Sequence, residues 1–159
     1  MKPFSVSSPT REIVLAEGAS PPELLAVEPG EKLEVSVLFT TPESTIAAVR
    51  RAATLLNGLE GRISLIDVQT IPYPLPFETP LVALDFIKQR LLAIAGEIDL
   101  EIAVYVYLSR FRWETLAQVL RPGSVIVIGC RTNWWLGWEK KLARRLQRAG
   151  YSTVLVEGP

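Results

Sequence analysis

From residue 33 onward the apolar positions fall into two alternating rhythms. Short runs rich in β-branched and aliphatic residues read as strands: "LEVSVLFT" (33–40), "RISLIDVQ" (62–69), "LEIAVYVYL" (100–108), "SVIVIG" (124–129) and "STVLVE" (152–157). Between them lie segments with apolar residues three or four apart, the spacing of an amphipathic helix. In "TPESTIAAVRRAATLLNG" (41–58), Ile46, Val49, Ala53 and Leu56 share that spacing and Arg50 and Arg51 are left to water. Thr41 is placed as the N-cap, Pro42 as the first helical residue and Gly58 as the stop. The next helix, "LVALDFIKQRLLAIAG" (81–96), turns Leu84, Ile87, Leu91 and Ile94 to one side. "RWETLAQVL" (112–120) predicts a short helix. Trp138 to Ala149 predicts a longer one, with Leu142, Leu146 and Ala149 inward and Lys140, Arg144 and Arg148 outward.

Strand and helix thus alternate four times before a closing strand. That order predicts an α/β domain: five parallel strands in one open sheet, with helices on both faces. In the strand at 100–108, Ile102, Val104, Val106 and Leu108 point one way and Ala103, Tyr105 and Tyr107 the other. "SVIVIG" is apolar on both faces and belongs inside the sheet. Four prolines in "TIPYPLPFETP" (70–80) force an extended loop. Residues 1–32 contain five prolines and one short strand candidate, "REIVLAEG" (11–18). They are expected to form an N-terminal arm on a domain spanning 33–159.

At 159 residues the chain fits a single domain of ordinary composition, 48% hydrophobic and 21% charged. Seventeen basic and seventeen acidic residues cancel, so no global field draws the chain to nucleic acid, and no such partner is expected. The cancellation is uneven: Glu12, Glu17, Glu23, Glu28, Glu31 and Glu34 load the first stretch, and Trp138 to Arg148 is basic. The absence of histidine removes Ser-His-Asp and Cys-His nucleophiles and every His-containing metal site. No spacing of metal ligands is present. Cys130 is the single cysteine, which excludes an internal disulfide. No apolar run reaches the roughly 20 residues of a membrane span, and a cytoplasmic protein is expected.

The chemistry-bearing residues gather after the fourth strand, in "GCRTNWWLGWEKK" (129–141). Arg131 suits pairing with a phosphate or carboxylate, or else capping of a carbonyl. Trp134, Trp135 and Trp138 offer stacking faces, core cover or an interface anchor. Cys130 beside a buried strand end reads as a small core residue. Asp67 and Asp99 make no catalytic dyad by spacing.

The alanine-rich first helix, the strand ending "LIDVQ", and "SVIVIGCR" before the last helix and "STVLVE" together resemble the universal stress protein family, within the adenine-nucleotide α-hydrolase-like folds. The resemblance covers Leu33 to Glu157. It implies the sheet order 3-2-1-4-5 and a central crevice lined by Thr40, Thr41, Gly129, Cys130 and Arg131, with Val68 nearby. ATP-binding members carry an Asp after the first strand and a Gly-x2-Gly-x9-Gly-(Ser/Thr) motif after the fourth. Here Thr40 and Thr41 replace the Asp, Thr132 replaces the second glycine, Gly137 comes too early and Trp138 follows it. The expectation is therefore a non-enzymatic domain that acts through protein contacts, without a cofactor. It is expected to be a homodimer through the C-terminal strand, with Trp134, Trp135, Val154 and Val156 at the interface. The alternative is a sensor that holds ATP, another adenine nucleotide or a small ligand at the altered turn. A regulatory piece of a membrane transporter is a third reading.

Overall fold

The computed structural model describes residues 10–14, 33–57, 59–71, 81–100, 102–131 and 137–158. Their elements run β1 (Thr10–Val14), β2 (Leu33–Leu38), α1 (Pro42–Leu55), β3 (Gly61–Thr70), α2 (Leu81–Ala95), β4 (Ile102–Ser109), α3 (Arg112–Val119), β5 (Val125–Cys130), α4 (Trp138–Arg148) and β6 (Ser152–Glu157). The five strands from β2 onward form one parallel sheet in the order β4-β3-β2-β5-β6, which is the 3-2-1-4-5 arrangement. The arm adds a sixth strand: β1 lies antiparallel along β4, with Thr10 opposite Ser109 and Val14 opposite Tyr105.

Two cores flank the sheet, and the alternation of each strand divides its side chains between them. Val35, Val37, Ile63, Leu65, Val104, Val106 and Val127 meet Ala48, Val49 and Ala52 of α1 and Leu91 and Ile94 of α2. On the other face Leu38, Ile66, Tyr105, Tyr107, Ile126 and Ile128 meet Leu116 of α3 and Ala143 and Leu146 of α4. Each fully buried aliphatic side chain contributes about 1.5–3 kcal/mol relative to exposure, so these two layers dominate the stability.

Two helical faces differ from the sequence reading. In α1 the buried stripe is Thr45, Ala48, Val49 and Ala52, continued by Leu56; Ile46 and Ala53 sit at its margin. The side chains that face the sheet there are small, and that brings the helix close. In α4 Ala143 and Leu146 are buried and Ala149 is exposed, because the helix gives way to a turn before Gly150. Its outward cations are Lys141, Arg144, Arg145 and Arg148. At the opposite end of the sheet, Glu34 joins three segments. It accepts from Ser64 Oγ at 3.0 Å and lies 3.3 Å from Arg121 Nε and 3.5 Å from Arg62 Nη2.

Candidate functional site

β2 and β5 lie side by side, yet α1 leaves β2 on one face and α4 follows β5 on the other. Their C-terminal ends are thus the switch point of the sheet, the place where open α/β folds leave a ligand crevice. Thr40, Thr41, Gly129, Cys130 and Arg131 all come to this edge, and Val68 lies in β3, two residues before its end, on the neighbouring strand.

Protein atoms occupy the space between β2 and β5. Thr40 Oγ1 donates to the Gly129 carbonyl at 2.7 Å, and the Thr40 N–H donates to Thr45 Oγ1 at 3.1 Å. Thr41 caps α1: its Oγ1 accepts from the Ser44 N–H at 3.3 Å and its carbonyl from the Thr45 N–H at 2.9 Å. Pro42 has no N–H at all. The first turn of α1 therefore has few donors left for an anion. That turn also sits directly on the backbone of β5, and a Cβ at Gly129 would run into the Ser44 carbonyl. Gly158 completes the seat. Its N–H donates to the Cys130 carbonyl at 2.7 Å, and a Cβ there would lie 2.9 Å from Ser44 Cα.

Cys130 belongs to the same packing. Its thiol is buried and donates to the Val156 carbonyl at 3.3 Å. Burial pushes the thiol pKa up, and the negative charges of Glu139 and Glu157 push it further. A thiol held in that way is a poor nucleophile. Arg131 follows β5 and is exposed. Val154 and Val156 are half-buried against the α1 side of the core. Trp134 and Trp135 lie outside the described residues.

The charged groups that the fold brings together lie one strand further along. Asp67 is 3% exposed, on the α1–α2 side of β3 near its C-terminal end. Its carboxylate accepts from Gln69 Nε2 at 2.7 Å. Burial raises its pKa; that hydrogen bond, then Arg90 and Arg112, pull in the opposite direction. Among the ion pairs of the described residues neither guanidinium is joined to it. Arg112 Nη2 instead donates to the Val68 carbonyl at 3.3 Å, and Arg90 lies over the Phe39 ring, 4.4 Å from its centroid. Sequence spacing isolates Asp67 from both arginines. The signal it does carry is Gln69, two residues on and so on the same face of the strand. Among the described residues no three His, Cys, Asp or Glu side chains are grouped to hold a metal ion.

No protein-family model matches the chain, and no curated protein matches it.

Proposed function

We propose that this chain is a non-enzymatic, universal-stress-protein-like domain that works through protein contacts as a homodimer joined at β6, and that it holds no ATP at the switch point. The observation that carries this reading is the state of the β6 edge. The N–H groups of Ser152 and Gly158 donate to Ser124 and Cys130, toward β5. Strand alternation then turns the backbone N–H and C=O of Thr153, Leu155 and Glu157 away from β5, to the side on which no described strand pairs with β6. β6 carries no proline and no lysine, two of the devices that usually protect a sheet edge. Pairing with a second copy about a two-fold axis engages all three outward residues when Leu155 faces its symmetry mate and Thr153 faces Glu157 of the other copy.

The seating of Ser44 against Gly129 supports the second half of the reading, because the first turn of α1 lies directly on the end of β5 and leaves no room between them for a phosphate. The sensor reading rests on Arg131, exposed just past β5, and on the Asp67–Gln69 pair beside Arg90 and Arg112.

Sedimentation and thermal unfolding separate the two. The dimer reading expects a two-fold particle mass and no shift of the melting temperature with millimolar ATP, ADP or AMP and magnesium. Leu155→Pro removes one outward N–H and leaves the β5 side of the ladder intact, so it should give a folded monomer. A nucleotide-dependent rise in melting temperature that disappears in Arg131→Ala would replace this reading with the sensor.

A further inference from the structure

The zero net charge of the chain conceals a polarised surface. On α4, Lys141, Arg144, Arg145 and Arg148 stand at the i, i+3, i+4, i+7 positions of one face, and all four are exposed. That is four positive charges within about 10 Å of helix. The helix has one acidic residue, Glu139, which is buried and 3% exposed, so the outer face carries no carboxylate. Among the described residues Lys141, Arg144 and Arg148 make no ion pair.

Aromatic rings adjoin this stripe. Trp138, seven residues before Arg145 and on the same face, is 40% exposed, and the α3 cap residue Phe111 is 52% exposed. Guanidinium groups and rings alternate across the two helices: Arg112 of α3 lies 4.9 Å from the Trp138 centroid, and Arg145 of α4 lies 4.1 Å from that of Trp113. These contacts fix the rings and the cations in one ridge.

We infer that the α3–α4 ridge binds single-stranded nucleic acid, its phosphates on the Lys141–Arg148 stripe and a base stacked at Trp138. Flat π-systems beside a track of cations match what an unpaired strand presents: a repeated anion and an exposed base. An anionic membrane is a poorer match: the aliphatic side of α4 is committed to the core through Ala143 and Leu146, and among the described residues the stripe is left with two rings, Trp138 and Phe111, to insert. An acidic peptide answers the charge, but the carboxylate side chains that do so carry no ring for Trp138, whereas every nucleotide brings a phosphate and a base together. The absence of a nucleic-acid partner expected from net charge is thereby set aside for this one face. The inference is independent of the β6 edge, whose backbone it does not use.

The test is a titration of labelled oligo-dT and oligo-rU with the 159-residue chain across a salt series. Four neutralised phosphates give a slope of log K against log salt of roughly −3. The triple variant Lys141→Gln, Arg144→Gln, Arg148→Gln should flatten that slope to about −0.7. Trp138→Ala should weaken binding about ten-fold and leave the slope unchanged, because stacking releases no counterions. All four positions are exposed, and melting curves of the variants confirm that they fold. The inference is overturned if neither oligonucleotide binds at low salt, or if the triple variant binds as tightly as the parent. It is equally overturned if phosphatidylserine vesicles or polyglutamate are bound in preference to the oligonucleotides.

Discussion

The Thr40 hydroxyl donates to the Gly129 carbonyl at 2.7 Å and ties the end of β2 to the end of β5, just where the two strands part company with their helices. Thr40→Val keeps the shape of the side chain and removes the donor. It should cost about 1–2 kcal/mol, since a part-buried carbonyl loses its partner, and a denaturant titration with an unchanged m-value measures it.

The seat under α1 makes a sharper prediction. Gly129→Ala should destabilise by about 3 kcal/mol or more, because the added methyl meets a backbone carbonyl that cannot rotate away. Ser44→Gly should not rescue it, for the obstruction is main chain. Gly158→Ala differs. The Oγ and Cβ of Ser44 are among its nearest atoms, at 3.0 and 3.3 Å, with Cα at 2.9 Å, so Ser44→Gly should recover part of that loss. The pair of double mutants, compared by thermal melting, checks both statements.

Most of the architecture was legible because its determinants are local. Alternation in 102–108 assigned Ile102, Val104, Val106 and Leu108 to one core and Tyr105 and Tyr107 to the other, as the structure has them. Thr41 and Pro42 announced the start of α1, the one by its capping hydroxyl and the other by its place in the first turn. The docked face of α1 was not legible from hydrophobicity. Ser44 and Thr45 are fully buried there because close approach to a glycine rewards small size over apolarity. The surroundings of Asp67 were hidden for a different reason: Arg90 and Arg112 reach it from separate helices, and only the sheet order makes them neighbours. The antiparallel docking of β1 on β4 likewise depends on where an edge is left open, which no local pattern records.

Trp113 and Arg145 join α3 to α4 across the sheet face, and their coupling is measurable. A double-mutant cycle with Trp113→Leu and Arg145→Gln should return an interaction energy of about 0.5–1 kcal/mol, the range for a cation over an accessible ring. The same cycle at Arg112 and Trp138 should give less, as the guanidinium there is further from the ring centroid, 4.9 against 4.1 Å.

Cys130 should be almost silent toward thiol reagents in the native protein. Only the thiolate reacts, and here burial both raises the pKa and blocks access. At pH 8 a disulfide reagent should label it at least about 100-fold more slowly than the unfolded chain, and the rate should climb with denaturant as β6 lifts from β5. The raised thiol also carries a sign for stability. Between its ordinary value of 9.0 and its raised folded value, the unfolded chain has lost the proton and the native one has kept it, so stability falls as pH rises through that window. Tyr151, whose hydroxyl is raised by burial from 10.0 while it donates to the Leu120 carbonyl, adds the same trend higher up.

Asp67 extends that logic to acid pH. Its carboxyl is raised above 3.8 mainly by burial, against the Gln69 hydrogen bond and the fields of Arg90 and Arg112. Below 3.8 both native and unfolded chains hold the proton and the group costs the fold nothing. From 3.8 upward the unfolded chain releases its proton first, so the native state loses stability until pH passes the raised value, and then the loss is constant. Asp67→Asn removes this dependence and retains an acceptor for Gln69 Nε2. The variant should match the parent at the acid end and be the more stable protein near neutrality, the difference growing with pH and then levelling. Arg112→Gln, which removes one stabilising field, should push the Asp67 carboxyl higher and shift the same curve to higher pH. Carboxyl NMR titration together with denaturant melts from acid to neutral pH tests both. A stability difference that shrinks as pH rises would mean that the arginine fields, rather than burial, govern this carboxylate.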